Sequence, residues 1–337
     1  MGIRKFGNKS LIIVAASLAT VALMIVAATA LLPTGLGGAS SAPALLVVAT
    51  TTVLADLAAN VAGERAQVTS LIPTGADPHT WEPSTAQARE VANADVFLYN
   101  GMGLEPWADR LVANVGRRDL VVVRLSEGLK PIDGVSFLLP GQPSGSGRSD
   151  AGAHAHVDDE HSHGEDGDPH FWLDITNAMH YVRRIEQALS AADPAGAGYY
   201  RQRAEAYLAE LAELDRWFAE QIDRIPPERR VLLTYHDAYG YMANRYGLEL
   251  VGFVVRNPDL EPAPRELADL VRVIRERGVP AIFTEPQVNA RFAQTLAREA
   301  GVRIGVLYTE ALAADVPTYV DMMRASATAL VEGLGVK

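Results

Sequence analysis

Two short stretches share an unusual composition: DPHTWEP at 77–83 and DPHFWLD at 168–174. Each sets Asp, Pro and His in a row with a Trp two residues after the His, in a chain that has only eight His and four Trp. Imidazole nitrogen ligates divalent metals and carboxylates add charge, so metal binding is the chemistry these residue types offer. Pro fixes its own φ and drives the preceding residue into extended backbone, so His79 and His170 are presented from stiffened turns that lose little entropy on coordination. Asp77 and Asp168 could accept the other ring N–H of a ligating imidazole, and Trp81 and Trp172 would wall the site from water. For either copy alone, a turn followed by a core Trp is the competing reading.

The remaining His divide into two kinds. His236, in LLTYHDAYGY, directly follows a run of strand composition, as His79 follows the run at 66–72 and the turn PTGADP. Open α/β sheets bind ligands beyond the carboxyl ends of their strands, so these placements favour a ligand role. His180 lies in a helical pattern and reads as a surface residue. The other four, His154, His156, His161 and His163, fall in a stretch from about 140 to 168 that is dense in Gly, Ser, Asp and Glu. So few apolar residues cannot fix a fold, and the composition predicts a mobile loop able to gather a divalent ion weakly. Irregular spacing and an internal position exclude an affinity tag.

The elements that must position these residues can be read from apolar patterning. LLVVAT (45–50), AQVTSLI (66–72), DVFLYN (95–100) and LVVVRL (120–125) are β-rich, with helical spacing between the first three. A second set, RVLLTY (230–235), LELVGFVV (248–255), PAIFTE (280–285) and VRIGVLY (302–308), alternates with helical stretches in the same way. The pattern predicts an α/β protein of two lobes, each with a small, mostly parallel sheet. Between them, 195–224 holds apolar residues at helical spacing and no Pro. A helix of about thirty residues, roughly 45 Å long, should join the lobes and limit their swing.

Composition bounds the function. The formal charge of −11 over 337 residues disfavours nucleic acid and suits cations. Arg4, Lys5 and Lys9 precede an uncharged apolar run at 11–32, which reads as an export signal. A cleavable signal has an apolar region of about 7 to 15 residues and a bilayer span needs about 20, so this run is long enough to remain as a membrane anchor. Cleavage near 39–44, where small residues cluster, is the alternative. The chain has no Cys, which removes disulfides, thiolate ligands, thiol nucleophiles and lipid attachment through Cys. The division expected is an export signal or anchor with linker at 1–44, an N-terminal lobe at 45–190, the linking helix at 195–224 and a C-terminal lobe at 229–337. The protein is expected to be an extracytoplasmic monomer at the cell surface or in the periplasm.

DPHTWEPS, NGMGLEPWADRL (100–111), DPHFWLD, YHDAYGYMANRYGL (235–248), LEPAPREL (260–267), IFTEPQVN (282–289), LYTEAL (307–312) and TYVDMM (318–323) together resemble successive blocks of the zinc and manganese solute-binding proteins of bacterial ABC importers. The resemblance runs in order over nearly the whole chain after residue 45. It implies two α/β lobes joined by one long helix, a metal ion in the cleft between them, and an ABC permease with its ATPase as partner. By motif match the ligands are His79, His170, His236 and Glu310. Relatives often carry Asp at the last position; the longer Glu310 leaves that contact open to a water. Glu285 of the FTEPQ block joins Asp77, Asp168, Trp81 and Trp172 as a supporting residue.

Three imidazoles with at most one carboxylate favour four-coordinate Zn²⁺, whereas Mn²⁺ prefers more oxygen. The family's manganese members often have Glu where His236 stands, and its zinc members often have a His-rich acidic loop, so zinc is expected and manganese is the alternative within the family. Imidazole must be neutral to ligate, so affinity is expected to fall below about pH 6.5. Two rivals belong to other classes. A zinc hydrolase would need an open position for water and a general base; the chain lacks HExxH, and Glu285 is the available base. A surface adhesin, an activity ascribed to some relatives, has no positive sign in the sequence.

Overall fold

The computed structural model describes residues 44–132, 167–255, 264–287 and 291–335. The apolar run at 11–32 and the loop His residues 154, 156, 161 and 163 lie outside them. Strands β1 (Leu45–Ala49), β2 (Ala66–Ser70), β3 (Val96–Tyr99) and β4 (Val121–Arg124) form one parallel sheet in the order β2-β1-β3-β4. Strands β5 (Val231–Thr234), β6 (Glu249–Phe253), β7 (Ala281–Thr284) and β8 (Arg303–Val306) form a second, in the order β6-β5-β7-β8. The central strands VFLY, VLLT and AIFT are buried along their whole length, which is why they read as continuous apolar runs rather than alternating ones.

Both sheets repeat one topology, in which the chain reverses its direction of travel between β1 and β3 and again between β5 and β7. At such a reversal the connecting segments diverge and leave a crevice at the carboxyl ends of the strands. Every residue that builds the site described below lies in a segment following a strand.

Around the first sheet lie α1 (Thr52–Ala62), α2 (Thr85–Asn93), α3 (Ala108–Val115) and α4 (Ile175–Ala192). Local capping fixes where several of them begin: Thr51 caps α1, Ser84 and Gln87 form a reciprocal capping box at α2, and Asp174, the last residue of DPHFWLD, caps α4. The linking helix α5 (Ala197–Asp223) has 27 residues. That is about 40 Å, a little shorter than expected, because Asp193 and Pro194 divert the chain into a 3₁₀ turn at Pro194–Gly196 first. Its buried residues, Tyr200, Ala204, Tyr207, Leu211, Leu214, Phe218 and Ile222, recur at steps of three and four and make one apolar stripe. A single core runs from Val47 and Leu98 at the first sheet through this stripe to Phe283 and Leu334 at the second. The C-terminal half adds α6 (Gly240–Tyr246), α7 (Pro264–Glu276), α8 (Arg291–Ala300) and α9 (Tyr319–Leu334), the last packed along α5.

Beyond the linking helix, polar contacts clasp the lobes directly. Tyr241 on α6 donates its hydroxyl to the carbonyl of Asp168 at 2.8 Å and packs against Phe171, tilted by 30° with ring centroids 4.6 Å apart. Trp172 donates its indole N–H to the carbonyl of Thr309 at 2.7 Å, and Tyr319 donates its hydroxyl to the carbonyl of Trp172 at 2.6 Å. The DPHFW segment is thus gripped on both sides by the C-terminal half. Gly240 makes this approach possible: a Cβ there would sit 2.8 Å from Asp168 Oδ2 and 2.8 Å from Ile132 Cδ1. Tyr241→Phe strips the Asp168 carbonyl of a buried donor, and we expect it to cost about 1–3 kcal/mol in urea denaturation of the metal-free protein.

Candidate metal centre

His79 sits on the turn after β2, His170 in the turn before α4, His236 two residues beyond β5, and Glu310 four residues beyond β8. Although spread over more than two hundred positions, each offers a ligand atom, and these atoms all lie within 4.8 Å of one another. His79 Nε2 is 3.4 Å from His170 Nε2 and 3.0 Å from Glu310 Oε1. Glu310 Oε1 is 3.2 Å from His170 Nε2 and 3.6 Å from His236 Nε2. Ligands at zinc-like bonds of about 2.0–2.1 Å in a tetrahedron stand about 3.3 Å apart, so the cluster already has the spacing of a small four-coordinate site. His170, His236 and Glu310 are fully enclosed, whereas the His79 side chain keeps 12% of its surface exposed. The open side of the site is the side of His79.

The two Asp-Pro-His turns use their Asp in a common way first. Asp77 Oδ1 accepts the backbone N–H of His79 at 2.8 Å, and Asp168 Oδ1 accepts that of His170 at 2.9 Å. Each carboxylate therefore closes a local turn that sets the direction of the His, with Pro stiffening it between. Asp168 Oδ1 also accepts the ring N–H of His170 at Nδ1, 2.8 Å away. An ionised carboxylate can only accept, so Nδ1 carries the hydrogen and Nε2 faces the cluster. His236 is held alike: its Nδ1 donates to Glu285 Oε1, and its Nε2 has no hydrogen-bond partner among the described residues. Glu310 Oε2 is buried and also lacks a hydrogen-bond partner among them. A buried imidazole nitrogen on His236, 3.6 Å from Glu310 Oε1, and a buried carboxylate with an oxygen left without a hydrogen-bond partner among the described residues fit a divalent cation.

Electrostatics point the same way. Burial opposes charge on His170, but its hydrogen bonds to Asp168 and Glu310 outweigh that and raise it from 6.5 to about 9. His236 is likewise raised well above its ordinary value, burial being outweighed by Glu285 and Glu310. Burial would raise Glu310, yet the imidazoles of His79, His170 and His236 hold it well below the usual carboxylate range. Protons on His170 and His236 supply positive charge that the enclosed carboxylates favour. The pH window of metal binding is therefore expected to lie higher than the unperturbed imidazole value suggested.

The two Trp residues part company. Trp172 is buried against the His170 ring at 5.4 Å, whereas Trp81 packs on Trp107 at 5.2 Å in a smaller apolar cluster of the first lobe. His180 is half-buried at the surface, and its Nε2 meets the carbonyl of Glu127 at 2.9 Å. Glu285 is engaged by His236, Thr309 and Gln287, so it does not stand ready as the base a hydrolase would need. Sequence reasoning missed the residues that brace the site. Asn100 donates its side-chain N–H to the carbonyl of Pro169 at 2.9 Å, and its backbone N–H meets Glu105 Oε1 at 3.0 Å. Thr309 and Gln287 were missed as well; adjacency to Glu310 and Glu285 was the available signal. Asp168→Ala removes the acceptor that orients His170, and we expect zinc affinity to fall about 10–100-fold in a chelator competition titration.

Residues 47–333 match the family described as zinc-uptake complex component A, periplasmic. The chain is 34% identical to the manganese-binding lipoprotein MntA of Halalkalibacterium halodurans over 88% of its own length and 91% of the relative's. It is 32% identical to the zinc-binding lipoprotein AdcA of Streptococcus pneumoniae over 73% of its own length and 46% of the relative's. Among solved structures it resembles the periplasmic zinc-binding protein TroA of Treponema pallidum, with 27% identity, a TM-score of 0.72, and 87% and 100% of the two chains covered.

Proposed function

The chain belongs to the family of periplasmic zinc-uptake components, the solute-binding proteins of metal ABC importers, and on that premise we propose that it captures Zn²⁺ outside the cytoplasm and delivers it to a permease driven by an ATPase. One observation carries the choice of zinc: three imidazole donors and a single carboxylate, with ligand atoms all within 4.8 Å of one another. Such a nitrogen-rich, compact donor set suits tetrahedral Zn²⁺, whereas Mn²⁺ prefers more oxygens and more ligands. Relatives of similar identity are named for manganese and for zinc, so the zinc reading is supported by the donor set rather than by likeness.

His79, His170, His236 and Glu310 would hold the ion, which is cargo rather than a resident cofactor. Asp168 and Glu285 would keep Nδ1 of His170 and His236 protonated, leaving Nε2 of each for the metal. His154, His156, His161 and His163 would collect further ions weakly, from the composition of their segment. Several relatives are named as lipoproteins, but a chain without Cys cannot be lipidated on that residue, so the apolar run at 11–32 is the proposed means of holding the protein to the membrane. The protein is proposed to work as a monomer.

Purification without added metal followed by elemental analysis, then equilibrium dialysis of zinc against manganese, tests the reading. We expect one tightly held ion per chain and complete displacement of manganese by zinc at equal concentrations. A site that retains both ions about equally would overturn the zinc assignment.

A further inference from the structure

Thr309 is not a candidate ligand, yet links to three of the four candidate ligands pass through it. It lies in the segment after β8, is 1% exposed, and immediately precedes Glu310. Its hydroxyl donates to Glu285 Oε2, and Glu285 Oε1 accepts the Nδ1–H of His236. Gln287 closes this small network, donating from Nε2 to Glu285 Oε2 at 2.8 Å with the Thr309 hydroxyl 3.4 Å away. The Thr309 carbonyl accepts the indole N–H of Trp172, two residues beyond His170, at 2.7 Å. One residue therefore holds the acceptor of His236, the backbone of Glu310 and the chain that carries His170.

We infer that Thr309 is a positioning residue that fixes the size of the metal cage, and that this rigidity is what makes the site discriminate zinc from larger divalent ions. The inference rests on the importer reading above. The physical argument concerns freedom rather than contact. A buried Glu285 that loses the Thr309 donor keeps the Gln287 bond but can rotate about its terminal torsions, and the His236 ring turns with it. A ligand set held by locked neighbours keeps one geometry and favours the ion whose bond lengths match it; a loosened set adapts to ions that need longer bonds and more ligands. Because the carbonyl contact to Trp172 belongs to the backbone, a side-chain change removes the hydroxyl link while leaving the contact between the lobes in place.

The test compares Thr309→Val, which keeps the volume and loses the O–H, with Thr309→Ser, which keeps the O–H. Zinc and manganese dissociation constants, the visible absorption of the Co²⁺ form as a report of coordination, and the unfolding temperature of the metal-free protein are measured for each. Thr309→Val is expected to weaken zinc about 10–100-fold, to weaken manganese less, and to alter the Co²⁺ bands. Thr309→Ser is expected to restore the zinc-to-manganese ratio and the spectrum. Should Thr309→Val fail to fold, Glu285→Gln, which preserves volume, carries the same expectation of a narrowed ratio. Unchanged zinc affinity and Co²⁺ spectrum in the Val variant, equal weakening of both metals, or a Ser variant as impaired as Val would each overturn the inference. Wild-type protein without tight zinc binding would instead defeat the importer reading, so the two failures are distinguishable.

Discussion

The double variant His79→Ala, His236→Ala is expected to lose zinc affinity by about four powers of ten. Apparent binding energies of four-ligand zinc sites run to roughly 10–16 kcal/mol, or about 3 kcal/mol per ligand, and each 1.4 kcal/mol is tenfold. The two residues come from opposite lobes and have different surroundings, since His79 keeps partial exposure while His236 is enclosed and held by Glu285. Loss of both therefore removes the exposed and the enclosed side of the cluster together. Isothermal titration or chelator competition reads the change, with circular dichroism checking that the fold persists. Fold persistence is expected because the lobes are joined without an ion, through α5 and the contacts of Tyr241, Trp172 and Tyr319. A double variant that still held zinc tightly would move the site elsewhere.

Zinc affinity is also expected to rise about tenfold per pH unit between pH 6.5 and 9 through His170 alone. The sign follows from the raised value of about 9 against the ordinary 6.5. Charge on His170 stabilises the metal-free fold fully below about pH 6.5, and this contribution is lost as pH rises through about 9. Metal requires the neutral ring, so binding must displace that proton throughout the window, and affinity falls as pH falls. His236, raised in the same direction by Glu285 and Glu310 after burial is overcome, steepens the slope. Titrations at pH 6.5, 7.5 and 8.5, with proton release followed in two buffers of different ionisation enthalpy, check this. A dissociation constant that is flat above pH 6.5 would restore the simpler expectation for unperturbed imidazole.

The sheets were legible because parallel strands enclosed on both faces leave short, continuous apolar runs. VFLY and VLLT can be read with no knowledge of their neighbours, and all eight β-rich segments contain an observed strand. The three His could be proposed from strand-end placement and motif, since the crevice follows from topology. What stayed hidden was how identical motifs diverge. Asp77 and Asp168 close their turns alike, yet the His170 side chain is enclosed while that of His79 keeps 12% of its surface exposed, because burial depends on how each ring packs between the lobes. Trp81 and Trp172 differ for a similar reason: one joins a cluster within its own lobe, while the other donates across the interface to Thr309. Cross-lobe partners such as Tyr241 carry no local pattern. Gly240 came nearest to a signal, since a Gly amid aromatic residues at the start of a helix hints at close approach by another part of the chain.

X-ray absorption at the zinc edge, on protein loaded with less than one equivalent so that only the tightest site fills, tests most directly whether these rings share one ion. The expected spectrum has four ligands at about 2.0 Å with the multiple-scattering signature of three imidazoles. A shell of five or six oxygens, or the signature of a single imidazole, would contradict the account.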